Sequence, residues 1–168
     1  VARDLLGKHL VRRVDGAELV VRITETEAYI GAVDKACHAY GGRRTARTET
    51  LYAQPGTAYV YLIYGMYHCL NFVTEPEGTA AAVLLRRVEA VSGTDLMAYN
   101  RFGRKFDQLT AYQRKNFLNG PGKVCKALAV TRAHNGLDLT RGGELFLCDG
   151  EAPAGEIHVG KRVGIDYA

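Results

Sequence analysis

Ala17-Glu18-Leu19-Val20-Val21-Arg22-Ile23-Thr24-Glu25-Thr26-Glu27-Ala28-Tyr29 is the stretch that decides how the chain folds. Leu19, Val21 and Ile23 alternate with Val20, Arg22 and Thr24, a period of two that suits a strand with one buried face. If no bulge intervenes, the same parity carries Glu25, Glu27 and Tyr29 onto the apolar face, where a carboxylate is unusual. Upstream, Asp15-Gly16 is a strong hairpin dipeptide, so Lys8–Val14 is expected to return as the neighbouring strand. Asp4-Leu5-Leu6 before Gly7 predicts a short opening helix with a glycine stop.

Downstream the period vanishes. Gly31 to Tyr40 and Gly41-Gly42-Arg43-Arg44-Thr45-Ala46-Arg47 form one long loop, and loops beyond about 12–15 residues are usually functional or disordered. Pro55-Gly56 opens a strand over Ala58–Ile63, Tyr64-Gly65-Met66-Tyr67 is a tight turn, and His68–Thr74 returns. Glu75-Pro76-Glu77-Gly78 turns into the apolar strand Ala80–Val88. Helical spacing marks Thr94–Arg101 and Gln108–Asn116, and a third helix, Lys123–Val130, follows Asn119-Gly120-Pro121-Gly122. Glu144–Leu147 and Arg162–Ile165 read as short tail strands. The expected fold is α+β: a single compact domain over residues 1–168, with a curved, largely antiparallel sheet and helices packed around it.

The length of 168 residues suits one domain, and 47% hydrophobic with 24% charged residues suits a folded chain rather than a disordered one. No apolar run approaches the roughly 20 residues that cross a bilayer, so no membrane partner is expected. The opening Val1-Ala2-Arg3-Asp4 does not resemble a signal peptide, and with no initiator Met, residues upstream are expected. A net charge of +4 permits a polyanionic partner without demanding one. Cys37, Cys69, Cys125 and Cys148 contain no Cys-x-x-Cys pair and read as reduced thiols in a reducing compartment, with no metal site.

Three constellations could carry chemistry. Glu25, Glu27, Tyr29 and His38 place carboxylates, a phenol and an imidazole in one strand-loop unit; strand-end ion pairs with Arg22 or the loop arginines are the plainer reading of the same residues. Tyr29, Tyr59, Tyr61, Tyr64 and Tyr67 crowd together, with Tyr59 expected in the core, Tyr61 sharing its face, and Tyr64 exposed at the hairpin tip as a candidate wedge between bases. Arg43, Arg44, Arg47, Arg86, Arg87 and Lys123 offer phosphate contacts, whereas Arg104-Lys105 and Arg114-Lys115 read as solvated charge. Gly122-Lys123 is not a P-loop, because the leading Gly is missing and Val124 replaces Ser or Thr. Stacking aromatics, a carboxylate and phosphate-binding loops together suit an enzyme that extracts a nucleotide from a duplex.

Longer strings are more specific. Glu25-Thr26-Glu27-Ala28-Tyr29, Asp34…His38, Gly41-Gly42-Arg43, Pro55-Gly56-Thr57-x-Tyr59-Val60-Tyr61-x-Ile63-Tyr64-Gly65-Met66-Tyr67-x-Cys69-x-Asn71, Val83-Leu84-Leu85-Arg86 and Gly120-Pro121-x-Lys123 resemble the alkyladenine (3-methyladenine) DNA glycosylase family over nearly the whole chain. The resemblance implies a monofunctional base-excision enzyme without metal or other cofactor. It would act on double-stranded DNA containing damaged purines, as a monomer, in the bacterial cytoplasm or a eukaryotic nucleus.

It implies Glu27 as the general base activating a water, with Arg86 and the main-chain carbonyl of Val163 holding that water. Tyr29, His38 and Tyr61 would stack the flipped base, the His38 amide would read its edge, and Asn71 would crowd the 2-amino group of guanine. Tyr64 would fill the gap in the duplex, and Arg43, Thr45, Met66, Tyr67 and Lys123 would contact the DNA backbone. His68 departs from relatives that carry an aromatic there, and family members continue beyond the Val163 strand into another aromatic-containing segment. No lysine stands in the pocket set as a nucleophile, which argues against a Schiff-base lyase step. Two rivals remain at this stage: a non-catalytic damaged-DNA-binding module, and a sugar- or formyl-transferring enzyme of small substrates.

Overall fold

Alternation and turn chemistry set the sheet. In a computed structural model that describes residues 1–168, β1 (His9–Val14) and β2 (Ala17–Tyr29) pair antiparallel across Asp15 and Gly16, whose φ values of 50° and 76° are those of a mirror-image turn. β3 (Ala58–Ile63) and β4 (Tyr67–Val73) form the second hairpin, with left-handed φ of 53° at Tyr64 and 68° at Gly65. β5 (Ala82–Ser92) joins the two hairpins, and β6 (Leu145–Cys148) adds to the far edge. The order is β3-β4-β5-β2-β1-β6, every pairing is antiparallel, and the ends do not meet: a curved half-barrel.

The helices cover one face. α1 (Thr94–Phe102) and α3 (Pro121–Ala127) pack with Val60, Leu70, Phe72, Val83 and Leu85 into the main core, and α2 (Ala111–Lys115) lies outside it. Residues of the opposite parity on β3, β4 and β5, namely Tyr59, Tyr61, Cys69, Asn71, Leu84 and Arg86, face away from that core.

The parity expected of β2 does not run through. Leu19, Val21 and Ile23 belong to the helix-side core, but pairing with β5 skips Thr24 on one strand and Arg86 on the other. The two irregularities cancel in register and add in consequence: each strand turns over, and Glu27 comes out opposite Leu84 on the face away from the helices. Glu27 is buried as expected, on the other side of the sheet from the one its parity gave.

Other expectations need correction. The opening segment is a turn, closed by Leu5 N–H donating to the Val1 carbonyl, and not a helix. The helix read over Gln108–Asn116 is broken at Leu109, because Thr110 restarts it as an N-cap whose hydroxyl accepts from Gln113 N–H at 3.2 Å. α3 begins at Pro121, a favoured first helical residue, earlier than its apolar spacing suggested, and it ends at Ala127. β5 runs on to Ser92. Arg162–Ile165 is not a strand: it has no ladder partner, and Gly164 adopts φ of 71°. The long loop is a chain of 3-10 turns at Gly31–Val33, Tyr40–Gly42 and Glu49–Tyr52.

Candidate active site

The sheet face that the helices leave bare is one wall of a cavity of about 780 Å3. Its other walls are the loop carrying His38, the β3–β4 hairpin, the first turn of α3 and the tail around Val163. The hairpin and α3 meet closely: a Cβ on Gly122 would lie 2.9 Å from the Tyr67 ring, so glycine is required for this approach.

At one end sits Glu27, 6% exposed. Its Oε2 accepts from the Tyr29 hydroxyl at 2.8 Å and its Oε1 from the Val163 main-chain N–H at 2.9 Å. Arg86, brought alongside by the β2–β5 irregularity, places Nε 3.4 Å from Glu27 Oε1 and 3.1 Å from Glu25 Oε1. The carboxylate is thus held on three sides by donors while buried, which suits a fixed charged acceptor. The strand-end ion pair expected for the glutamates forms with Arg86; Arg22 pairs with Glu89 instead. Val163 reaches Glu27 through its amide, where the sequence reading named only its carbonyl.

The aromatic wall follows from strand pairing. Tyr59 and Tyr61 share the cavity face of β3, their centroids 5.3 Å apart, and Tyr59 is buried against Leu51, Val73 and Ala82. The Tyr59 hydroxyl lies 2.9 Å from His38 Nδ1, and the imidazole stands edge-on to Tyr61 at 4.6 Å. His38 and Tyr61 therefore form one continuous wall, too close for a ring to lie between them. Burial first, and then the Arg47 charge, pull the His38 pKa below its ordinary value, favouring neutral imidazole. Burial pushes the Tyr59 phenol up to about 12 and raises Tyr29 and Tyr61 as well, so all three stay protonated. Asn71, 4% exposed, pairs with Tyr59 across the ladder and donates Nδ2–H to the Tyr59 carbonyl at 3.1 Å.

Glu27, Tyr29, His38, Tyr61, Asn71, Arg86 and Val163 thus converge on one cavity, which also reaches Tyr64, Tyr67 and Lys123. Tyr64 is 81% exposed at the hairpin tip. Lys123 donates Nζ–H to Asn119 Oδ1 at 2.8 Å, and its pKa is lowered by burial and by the neighbouring Arg101 charge. Arg43, Thr45 and Met66 do not line the cavity; they are exposed.

Two charged groups that sequence reasoning gave no role belong here. Asp34 and Arg162 form a bidentate ion pair, and the Arg162 guanidinium lies 4.7 Å over the Tyr29 ring. They stand 128 positions apart in sequence, so only the fold brings them together. No cluster of His, Cys, Asp and Glu in the chain has the arrangement of a metal site, and the four cysteines are unpaired. Cys148 is exposed while the other three are buried.

Among known proteins, residues 1–168 match the family model described as "Methylpurine-DNA glycosylase (MPG)". A Clostridium perfringens (strain SM101 / Type A) protein, provisionally named a 3-methyladenine DNA glycosylase, is 49% identical over 170 residues, spanning 100% of this chain and 83% of its own. One from Clostridium botulinum (strain Hall), named in the same way, is 51% identical over 168 residues with the same coverage.

Proposed function

Since the chain belongs to the methylpurine-DNA glycosylase family and so hydrolyses N-glycosidic bonds in DNA, we propose that it draws a damaged purine out of the duplex into the cavity beside Glu27. The substrates are alkylated or deaminated purines: 3-methyladenine, 7-methylguanine, hypoxanthine and ethenoadenine by class. A water beside Glu27 attacks the anomeric carbon of the deoxyribose. The C–O bond forms, the C–N bond breaks with its electron pair leaving on the purine, and the water's proton passes to the Glu27 carboxylate. Positive charge gathers on the sugar as the bond breaks, so an anionic carboxylate beneath it lowers the barrier, as in glycoside hydrolysis.

One observation carries this reading: a buried carboxylate facing the cavity, oriented by the Tyr29 hydroxyl and the Val163 amide and flanked by Arg86. A purine methylated at N3 or N7 is a cation before it leaves and departs neutral, so it needs no acid; hypoxanthine and ethenoadenine are neutral and leave as anions that take a proton from water. Neutral His38 agrees with that, because it holds no spare proton to give. Tyrosine faces attract a cationic ring by about 0.5–2 kcal/mol per contact. The purine would lie against the His38–Tyr61 wall, with the His38 main-chain N–H, which no other group in the chain accepts, free to meet its edge.

Asn71 would crowd a 2-amino group, and Tyr64 would occupy the space the nucleotide leaves. Arg43, Thr45 and Met66 are exposed, and with Tyr67 and Lys123 they would meet the DNA backbone. The protein would act as a monomer, the state that its resemblance to the family implies. Excision measured on a panel of single-lesion duplexes tests the substrate classes. Release of pyrimidine lesions only, or of no base, would overturn the reading.

A further inference from the structure

From Asp149 to Ala168 no residue makes a backbone–backbone hydrogen bond, and from Cys148 onward only Arg162 and Ile165 are even partly buried. Such a segment has no core of its own and would fray unless side chains tie it down. Yet it delivers the Val163 amide to Glu27 Oε1 at 2.9 Å. Beyond Glu151, the only polar attachments of the tail to the rest of the chain are those of Arg162 and Val163.

Arg162 is tied through both of its terminal nitrogens. Its Nη2 donates to Asp34 Oδ1 at 2.9 Å, its Nη1 to Asp34 Oδ2 and, at 3.1 Å, to the Ala28 carbonyl, and its plane lies over Tyr29. Asp34 is itself fixed: Oδ2 accepts from Ile30 N–H at 3.1 Å and Oδ1 from Ala36 N–H at 3.0 Å, and its side chain is only 8% exposed. Both carboxylate oxygens are thus committed to the turn that leads from Tyr29 to His38 and to one guanidinium fork, the geometry in which arginine and lysine are not interchangeable.

We infer that Asp34 and Arg162 form a positioning clamp that holds the tail against β2, so that the Val163 amide and the Tyr29 ring fix the Glu27 carboxylate for attack. This rests on the reading of Glu27 as the base. Neither clamp residue touches the carboxylate; both act through Val163 and Tyr29. Misplacing a reacting group by about 1 Å costs on the order of 10²-fold in rate, so releasing the clamp should cost roughly ten- to a hundredfold in the chemical step.

The experiment compares Arg162→Ala and Arg162→Lys with the parent chain and with Glu27→Gln. Single-turnover base release, affinity for the same lesion duplex and hydrogen exchange of the Val163 amide are followed. The expected result is a roughly ten- to a hundredfold slower release for Arg162→Ala at unchanged affinity, with faster Val163 exchange. Arg162→Lys should be intermediate. If Arg162→Ala does not fold, Arg162→Lys alone decides: parental release and exchange would overturn the clamp. Full release by Arg162→Ala beside an inactive Glu27→Gln would overturn the clamp alone, whereas an active Glu27→Gln would overturn the underlying reading of Glu27.

Discussion

Tyr64→Asn should make the protein more stable and worse at its task. Tyr64 holds φ of 53° at the β3–β4 turn, a left-handed conformation that costs a bulky residue about 1–2 kcal/mol. Asparagine tolerates that region, and the ring is 81% exposed, so its removal opens no cavity. Relief of part of the strain gives about 0.5–1 kcal/mol, and with each kcal/mol worth about 2–4 °C at this size the Tm rises roughly 1–4 °C. The same change deletes the ring that would replace lost base stacking, a term of a few kcal/mol, so the flipped population should fall about tenfold or more. Thermal melting without DNA reads the first effect, and fluorescence of ethenoadenine in a duplex reads the second. A Tm lower by several degrees would show that Tyr64 packs against the protein. Unchanged flipping would remove its wedge role. Strain kept at an exposed tip is understandable only if the residue earns it elsewhere.

Tyr59→Ala is the opposite case: Tyr59 is 3% exposed, so a loss of about 3–5 kcal/mol should lower the Tm by roughly 6–20 °C, and calorimetry showing under about 3 °C would contradict its core placement. His38 titrates below its ordinary value, so the unfolded chain binds that proton more readily; its neutral form costs nothing above about pH 6.5, and stability falls as pH drops below that. Arg47→Ala removes the second cause of the shift, and the His38 ring resonances should then titrate at higher pH, while an unmoved midpoint would separate Arg47 from the imidazole. Asn71→Ser shortens the side chain that would crowd guanine, so release of undamaged guanine should rise relative to hypoxanthine, and an unchanged ratio would free Asn71 of that part.

Most of the sheet was legible because local signals agreed. Alternation in β1 and β2 and the Asp15-Gly16 turn pointed to the same hairpin, and Tyr64-Gly65 did so for β3 and β4. Glu27 is more instructive. Its parity with Ile23 would have sent it into the helix-side core, and only skipped pairings at Thr24 and Arg86 turn it to the cavity. A pair of cancelling bulges leaves no periodic trace in one strand, so simple alternation could single out the residue without giving its face. The Thr110-x-x-Gln113 capping box and Pro121 at a first helical position were readable signals for helix starts that apolar spacing overlooked. Arg162–Ile165 carries strand-forming residues, but its Val163 N–H goes to the Glu27 carboxylate and its Arg162 side chain to Asp34 and the Ala28 carbonyl, so no ladder forms. The Asp34–Arg162 pair had no local signature at all, since its cause lies in the approach of two distant loops.

The most direct measurement is single-turnover base release by Glu27→Gln alongside its affinity for the same 3-methyladenine-class duplex. Glutamine keeps the shape: its carbonyl can accept from the Val163 N–H, and its amide can donate to the Tyr29 oxygen, so the cavity should survive. What it lacks is a group able to take the water's proton. General-base contributions of about 10²–10⁴-fold set the expectation: release falls by at least 10²-fold while affinity stays within a few-fold of the parent. A folded Glu27→Gln protein that releases base within a few-fold of the parent rate, or that loses affinity in step with rate, would contradict the assignment of Glu27 as the base.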